Sequence, residues 1–115
     1  MSRDLTLFLE DIVESCAKVV RFSTSLTRDE LANDAMRFDA ILFNLHVIGE
    51  AVKSLPMDFR EMHREVAWRQ IAGMRDFVAH SCFSLDMDIL WSAICDDVPK
   101  LLEDVQRILD SRREP

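Results

Sequence analysis

The sequence predicts an all-α protein, an up-and-down bundle of four main helices plus a short helical segment. Apolar residues recur at steps of three and four along most of the 115 residues, as on one face of a helix. Two glycines and three prolines are too few for a protein built from many turns. No stretch alternates apolar and polar residues as a half-buried strand does. The length suits one domain, which we take as residues 1–115.

The first helix is predicted from Leu5 to Val20, where the apolar side chains form one wide stripe. This stripe contains Leu5, Phe8, Ile12, Cys16 and Val19. The following stretch, 22–27, is rich in serine and threonine and is expected to connect two helices. Thr27 and Glu30 have the spacing of a capping box, so the second helix should begin at Arg28.

The second helix is predicted from Arg28 to Ser54, ahead of Pro56, and it carries two apolar rows. The first row is Phe38, Ile41, Leu45, Ile48, Val52 and Leu55; the second row is Met36, Ala40, Phe43, Val47 and Ala51. A helix that is apolar on two faces is expected to be buried on two sides. The bundle core and a subunit interface would supply those two sides.

The second half of the chain predicts two further main helices. Residues Met57 to Trp68 are charged and mixed, and they predict a turn with one brief helix. The third main helix follows from Trp68 to about Ser81, and the fourth begins near Asp86. Pro99 lies inside the apolar pattern of the fourth helix, where it lacks a backbone donor and should kink the helix.

Composition limits the classes of function. A net charge of −7 and an isoelectric point near 4.8 argue against a broadly basic nucleic-acid surface, so any polyanion would bind at a small local site. Three scattered cysteines fit reduced thiols in a cytoplasmic protein and have no zinc-type spacing. The start of the chain is unlike a signal peptide, and no apolar run is long enough for a membrane span. We expect no metal and no cofactor.

The residues most able to support chemistry are Arg75, Asp76 and His80. Asp76 and His80 lie about 40° apart on a helix, so the carboxylate can orient the imidazole. Arg75 lies about 140° from His80, and a helix end or a two-fold copy of the helix would be needed to bring them together. An Arg–Asp surface pair beside a half-buried histidine is the simpler interpretation of this set. His46 and His63 are assigned structural roles.

Four linked segments resemble the HepT-like branch of the HEPN superfamily. They are Asn-Leu-His-Val-Ile-Gly-Glu-Ala at 44–51, Leu-Pro at 55–56, Trp-Arg-Gln-Ile-Ala-Gly-Met-Arg-Asp at 68–76 and Ala-His at 79–80. Their order and spacing hold from about residue 4 to residue 109. The resemblance implies a homodimeric bundle in which two Arg-x4-His motifs face each other across an interface cleft. It also implies a metal-independent ribonuclease, the toxin of a two-gene system whose antitoxin is a nucleotidyltransferase of the MntA type.

Carried onto this sequence, the family motif implies that Arg75 and His80 are catalytic and that Asp76 supports them. His80 would act as base or acid, and Arg75 would bind the scissile phosphate. Cys82 takes the position of a tyrosine that family members commonly have, to which the antitoxin can transfer AMP. The chain has no tyrosine, which puts that mode of control in doubt here. A space-filling role for Cys82 is favoured over thiol chemistry.

Three functions therefore follow, with the ribonuclease toxin first. The second is a non-catalytic helical dimer that binds a nucleotide or a nucleotidyltransferase. The third is an assembly module in which Arg75, Asp76 and His80 only stabilise the interface. The expected partners are RNA, a second copy of the chain or a larger oligomer of it, and an MntA-like nucleotidyltransferase. Neither DNA nor a membrane is expected.

Overall fold

The predicted all-α fold is confirmed by a computed structural model. The structure describes residues 4–80 and 86–113, of which residues 77–80 are described by their backbone alone. No strand occurs in these residues. The helices are α1 (Leu5–Ser23), α2 (Arg28–Ala32), α3 (Ala35–Lys53), α4 (Met57–Met62), α5 (Trp68–His80), α6 (Met87–Ser92), a π-helical turn (Ala93–Asp97) and α7 (Val98–Arg113).

The first two helix starts are set by side-chain caps. The Asp4 carboxylate accepts a hydrogen bond from the Thr6 amide at 2.7 Å and begins α1. The capping box predicted at Thr27 is present, since the Thr27 hydroxyl accepts from the Glu30 amide and the Glu30 carboxylate accepts from the Thr27 amide. Each cap satisfies amides that have no partner within the helix.

The continuous helix predicted from Arg28 to Ser54 is wrong. The chain leaves α2 at Asn33, whose side-chain amide donates to the Asp29 carbonyl at 2.9 Å. Asp34 then accepts from the Arg37 amide at 3.1 Å and caps α3. Short polar side chains that bond locally compete with helical backbone bonds, and here they interrupt the helix although the chain remains helical on both sides.

The core lies between α1, α3, α5 and α7, with α3 packed on both α1 and α5. Its largest fully buried members include Leu9, Ile12, Ile41, Leu45, Ile48, Leu101 and Leu109. The first apolar row of α3 thus packs into the core, apart from the half-buried Phe38 near the start of that helix. The second row differs, because Met36 is 84% and Phe43 65% exposed in the single chain, whereas Ala51 is buried.

A π-helical turn lies directly before Pro99, and the kink predicted there stays a prediction. The Val98 amide donates to the Ala93 carbonyl, five residues back. Pro99 has no amide to donate to the carbonyl of Cys95, so a normal α-helical bond is missing at this point. The wider π turn accommodates that loss while the chain continues as a helix into α7.

Two cysteines lie in the described residues, and both are free thiols. Burial raises the pKa of the Cys16 thiol to about 12. Cys95 is exposed on the π turn. None of the helices in the described ranges is both long and apolar enough to cross a lipid bilayer.

Candidate active site

Helices α3 and α5 approach each other closely where Gly49 faces Arg75. A Cβ atom at Gly49 would lie 2.8 Å from the Cβ of Arg75 and 2.8 Å from its backbone nitrogen. Real Cβ atoms essentially never come so close to backbone atoms, so a side chain at position 49 would push the helices apart. The glycine therefore lets the Arg75 backbone pack directly on α3.

The Arg75 guanidinium lies between two carboxylates. Its Nη1 is 3.0 Å from Oε1 of Glu50 on α3, and its Nε is 3.5 Å from Oδ1 of Asp76. The Arg75 side chain is 29% exposed, so it is partly sheltered and still reachable from solvent. His46 extends this cluster, because its Nε2 is 3.9 Å from the same Oε1 of Glu50.

Carboxylates outnumber the guanidinium in this cluster, because the single cation Arg75 faces both Glu50 and Asp76. Both carboxylates are about half-exposed or more, and ion pairs of that kind are worth about 1 kcal/mol or less. An incoming anion with good geometry can therefore displace a carboxylate from Arg75.

The predicted site residues share one helix in the structure. Arg75 and Asp76 are described with their side chains, and α5 runs on to His80. Asp76 and His80 are thus one helical turn apart on one element, as expected. The His80 side chain and the whole of Cys82 lie outside the described residues, so the Asp76–His80 contact and the role of Cys82 stay predictions.

Neither Glu50 nor Gly49 is predicted from the sequence as part of this site, and His46 is assigned a structural role. The signals are present in the sequence: His46 and Glu50 are four residues apart, and a glycine within a helix marks a close approach. Gly73 is the other glycine within a helix, and nothing lies within 4 Å of a Cβ placed there. The close approach is at Gly49 instead.

His63 keeps the structural role predicted for it. Its ring lies 4.7 Å from that of Phe59, and its carbonyl accepts a hydrogen bond from the Trp68 indole at 2.9 Å. Among the side chains that the structure describes, those of residues 4–76 and 86–113, no three His, Cys, Asp or Glu side chains are arranged so that they could hold a metal ion.

Comparison with known proteins identifies a family whose members this chain resembles in sequence. The family model described as ribonuclease HepT-like matches residues 12–108, which include α3, α5 and the whole charged cluster. No solved structure matches the chain.

Several curated proteins resemble the chain over nearly its whole length. A protein of Thermococcus cleftensis named "Probable ribonuclease HepT" is 35% identical over 88% of this chain and 92% of its own length. A protein of Caldanaerobacter subterraneus subsp. tengcongensis named as a putative RNase is 35% identical over 92% of this chain and 95% of its own length.

One relative is larger. A Methanocaldococcus jannaschii protein named as a gamma-glutamylcyclotransferase and putative RNase is 32% identical over 96% of this chain, but the match spans only 50% of that protein. The chain therefore corresponds to about half of that relative.

Proposed function

We propose, because the chain belongs to the ribonuclease HepT-like family, that it is an RNA endonuclease whose active site contains Arg75 and His80. The observation that carries this proposal is the placement of Arg75. Gly49 holds its backbone against α3, and its partly exposed guanidinium lies five residues before His80 on α5.

The reaction needs no metal ion in this proposal, because the RNA supplies its own nucleophile. A base removes the proton of the ribose 2′-OH, and the 2′ oxygen attacks the neighbouring phosphorus. The bond from phosphorus to the 5′ oxygen breaks, which leaves a 2′,3′-cyclic phosphate and a 5′-OH that takes a proton from an acid. His80 suits both proton transfers, since an unperturbed imidazole has a pKa near 6.5.

Arg75 stabilises the charge that grows on the phosphate oxygens. A guanidinium can donate two parallel hydrogen bonds to one phosphate. In the free protein the Arg75 guanidinium forms ion pairs with Glu50 and Asp76. RNA binding then exchanges carboxylates for phosphate, and Asp76 becomes available to orient His80 from its position one turn earlier.

A homodimer completes this site. Arg75 and His80 point about 140° apart on a regular helix, so two facing copies of α5 give each phosphate an arginine and a histidine. The exposed Phe43 supports a contact through the second apolar row of α3. Phe43 and Glu50 are seven residues apart and lie about 20° from each other around the helix, so this contact would bring the two charged clusters together.

The cellular role follows from the family resemblance. The ribonuclease would act in the cytoplasm as a toxin, restrained by a cognate nucleotidyltransferase of the MntA type. Since the chain has no tyrosine to accept AMP, we expect the antitoxin to restrain it by covering the cleft.

A second candidate function is a dimer that binds a nucleotide or the nucleotidyltransferase without cutting RNA. The two carboxylates around Arg75 favour it, because they already neutralise the charge that would be needed in a transition state. Cleavage assays separate the two functions.

The test is cleavage of single-stranded RNA by the purified protein in the presence of a chelator. We expect His80→Ala and Arg75→Ala to lose at least a hundredfold in rate, a typical loss for an acid–base or charge-stabilising group. Arg112→Ala is the matched control, because Arg112 is exposed and outside the charged cluster. Equal rates for wild type and His80→Ala would refute the ribonuclease proposal.

A further inference from the structure

A groove beside α4 and α5 gathers four cations on this acidic protein. Lys53, Arg60, Arg64 and Arg69 line it, and this groove, which is wide open to solvent, has a volume of about 1090 Å³. Two carboxylates, Glu61 and Asp76, line it as well, so its charged residues sum to +2 while the chain carries −7. The groove is therefore a local region of positive charge on a protein whose net charge is negative.

These four cations make no ion pair within the described residues. Elsewhere in the described part, most cations do pair with a carboxylate: Lys18, Arg28, Arg37, Arg75, Lys100, Arg107 and Arg113. The chain has 21 acidic residues for 14 lysines and arginines, so carboxylates are not scarce. Leaving four cations unpaired in one groove keeps them available for an external anion.

Arg60 adds an unsatisfied donor to the groove. Its Nε is buried and has no hydrogen-bond partner among the described residues. A buried donor without a partner is unfavourable, because it has lost its hydrogen bonds to water and gained none in return. An anion with several acceptor oxygens would satisfy it.

The groove leads to the charged cluster at Arg75. Arg69, Ala72, Gly73 and Asp76 follow a helical spacing of three, four and seven residues, so they form one face of α5. This face runs about 10 Å from Arg69 to Asp76, the residue paired with Arg75. Gly73 has no side chain to project from this face, and the space around its Cα is open, since nothing lies within 4 Å of a Cβ placed there.

We infer that this groove binds single-stranded RNA and guides it to Arg75. The inference rests on the proposed ribonuclease function and adds the path of the substrate. Three of the four cations are arginines, whose planar fork fits phosphate. The exposed Met57 in the same groove offers an apolar surface for bases. An acidic protein segment is the competing occupant. RNA is favoured because the groove reaches Asp76, the residue paired with Arg75, which is the proposed phosphate-binding residue.

Binding of a fluorescent 2′-O-methyl RNA 12-mer tests the groove without cleavage, because the blocked 2′ oxygen cannot attack. The variants are Arg64→Gln and Arg69→Gln, each compared with Arg112→Gln, which removes the same charge from an exposed arginine outside the groove. Each groove variant should lower the slope of log affinity against log salt by about 0.7 and weaken binding at 50 mM salt by roughly tenfold. The Arg112→Gln protein should bind like wild type.

The outcomes separate this inference from the proposed activity. If the groove variants bind RNA like Arg112→Gln, the groove assignment is overturned even when wild type cleaves RNA. If wild type binds with the expected salt slope but cleaves nothing, the ribonuclease proposal falls and the groove stands. Equal competition by poly-glutamate of the same charge would overturn RNA in favour of an acidic protein partner.

Cleavage of two substrates gives an independent check. A dinucleotide with one phosphodiester reaches Arg75 without filling the groove, whereas a 20-mer fills it. Arg64→Gln and Arg69→Gln should raise KM for the 20-mer and leave dinucleotide cleavage unchanged. Equal losses on both substrates would mean that the substitutions disturb the active site or the fold, and they would contradict a guiding groove.

Discussion

Glu50 on α3 and Arg75 on α5 form an ion pair in which Oε1 and Nη1 lie 3.0 Å apart. This pair joins two helices beside their close approach at Gly49 and connects Arg75 to His46 through one shared carboxylate. Glu50 thus controls how much of the Arg75 charge is open to a ligand.

Neutralising Glu50 should strengthen RNA binding. In Glu50→Gln the amide keeps the size of the side chain, and phosphate then competes for Arg75 with the Asp76 carboxylate alone instead of with two carboxylates. Because a half-exposed pair is worth about 1 kcal/mol or less, the gain in affinity for a 2′-O-methyl RNA should reach about fivefold. Glu103→Gln, the same change on an exposed part of α7, is the control. Weaker binding by Glu50→Gln would contradict this view of the pair.

The two glycines should respond to alanine in opposite ways. Gly49→Ala places a methyl group 2.8 Å from the Arg75 backbone, and such overpacking costs about 1–3 kcal/mol. Gly73→Ala meets open space and should be neutral or stabilise α5 by up to about 1 kcal/mol through helix propensity. Urea unfolding measures both. Equal stability of the two variants would show that the α3–α5 contact tolerates a side chain at position 49.

Charging the exposed apolar row of α3 should prevent dimerisation. Phe43 is 65% exposed in the single chain, so Phe43→Glu should leave the fold of each subunit intact. We expect a monomer by light scattering and at least a tenfold loss of RNA cleavage, since each chain then holds an incomplete site. Met62→Glu changes an exposed residue outside this row and should remain dimeric. A dimeric Phe43→Glu protein would place the interface elsewhere.

The π turn carries a carboxyl group whose charge opposes folding. Partial burial, and then the neighbouring Asp96, raise the pKa of Asp97 above its ordinary value of 3.8. The folded state therefore binds this proton more tightly than the unfolded state, and stability falls as pH rises through the interval between the two pKa values. Above that interval the charged Asp97 carboxylate lowers the free energy of unfolding.

Asp97→Asn should accordingly raise the free energy of unfolding at pH 7, and the gain should vanish by about pH 2.5, more than one pH unit below the ordinary pKa, where the carboxyl group is protonated in both states. Denaturant unfolding at the two pH values measures the difference. Asp39→Asn, on the exposed side of α3, provides the comparison and should be nearly neutral at both. A gain that persists at low pH would point to a cause other than charge.

Local chemistry explains which parts of the fold were predictable. Helix positions follow from apolar periodicity, and the starts of α1 and α2 follow from the side chains of Asp4 and Thr27. The break between α2 and α3 escaped prediction because the chain stays helical on both sides of Asn33 and Asp34. Only their side-chain hydrogen bonds, which periodicity does not record, reveal it.

The sequence by itself determined the helical bundle, the family resemblance and the placement of Arg75, Asp76 and His80 on one helix. The tertiary structure decided what surrounds them. Glu50 and Arg75 are 25 positions apart, and only the packing of α3 on α5 at Gly49 brings them within 3.0 Å. The basic groove depends likewise on how three helices meet, because residues from α3, α4 and α5 acquire a common surface only when the core between them is packed.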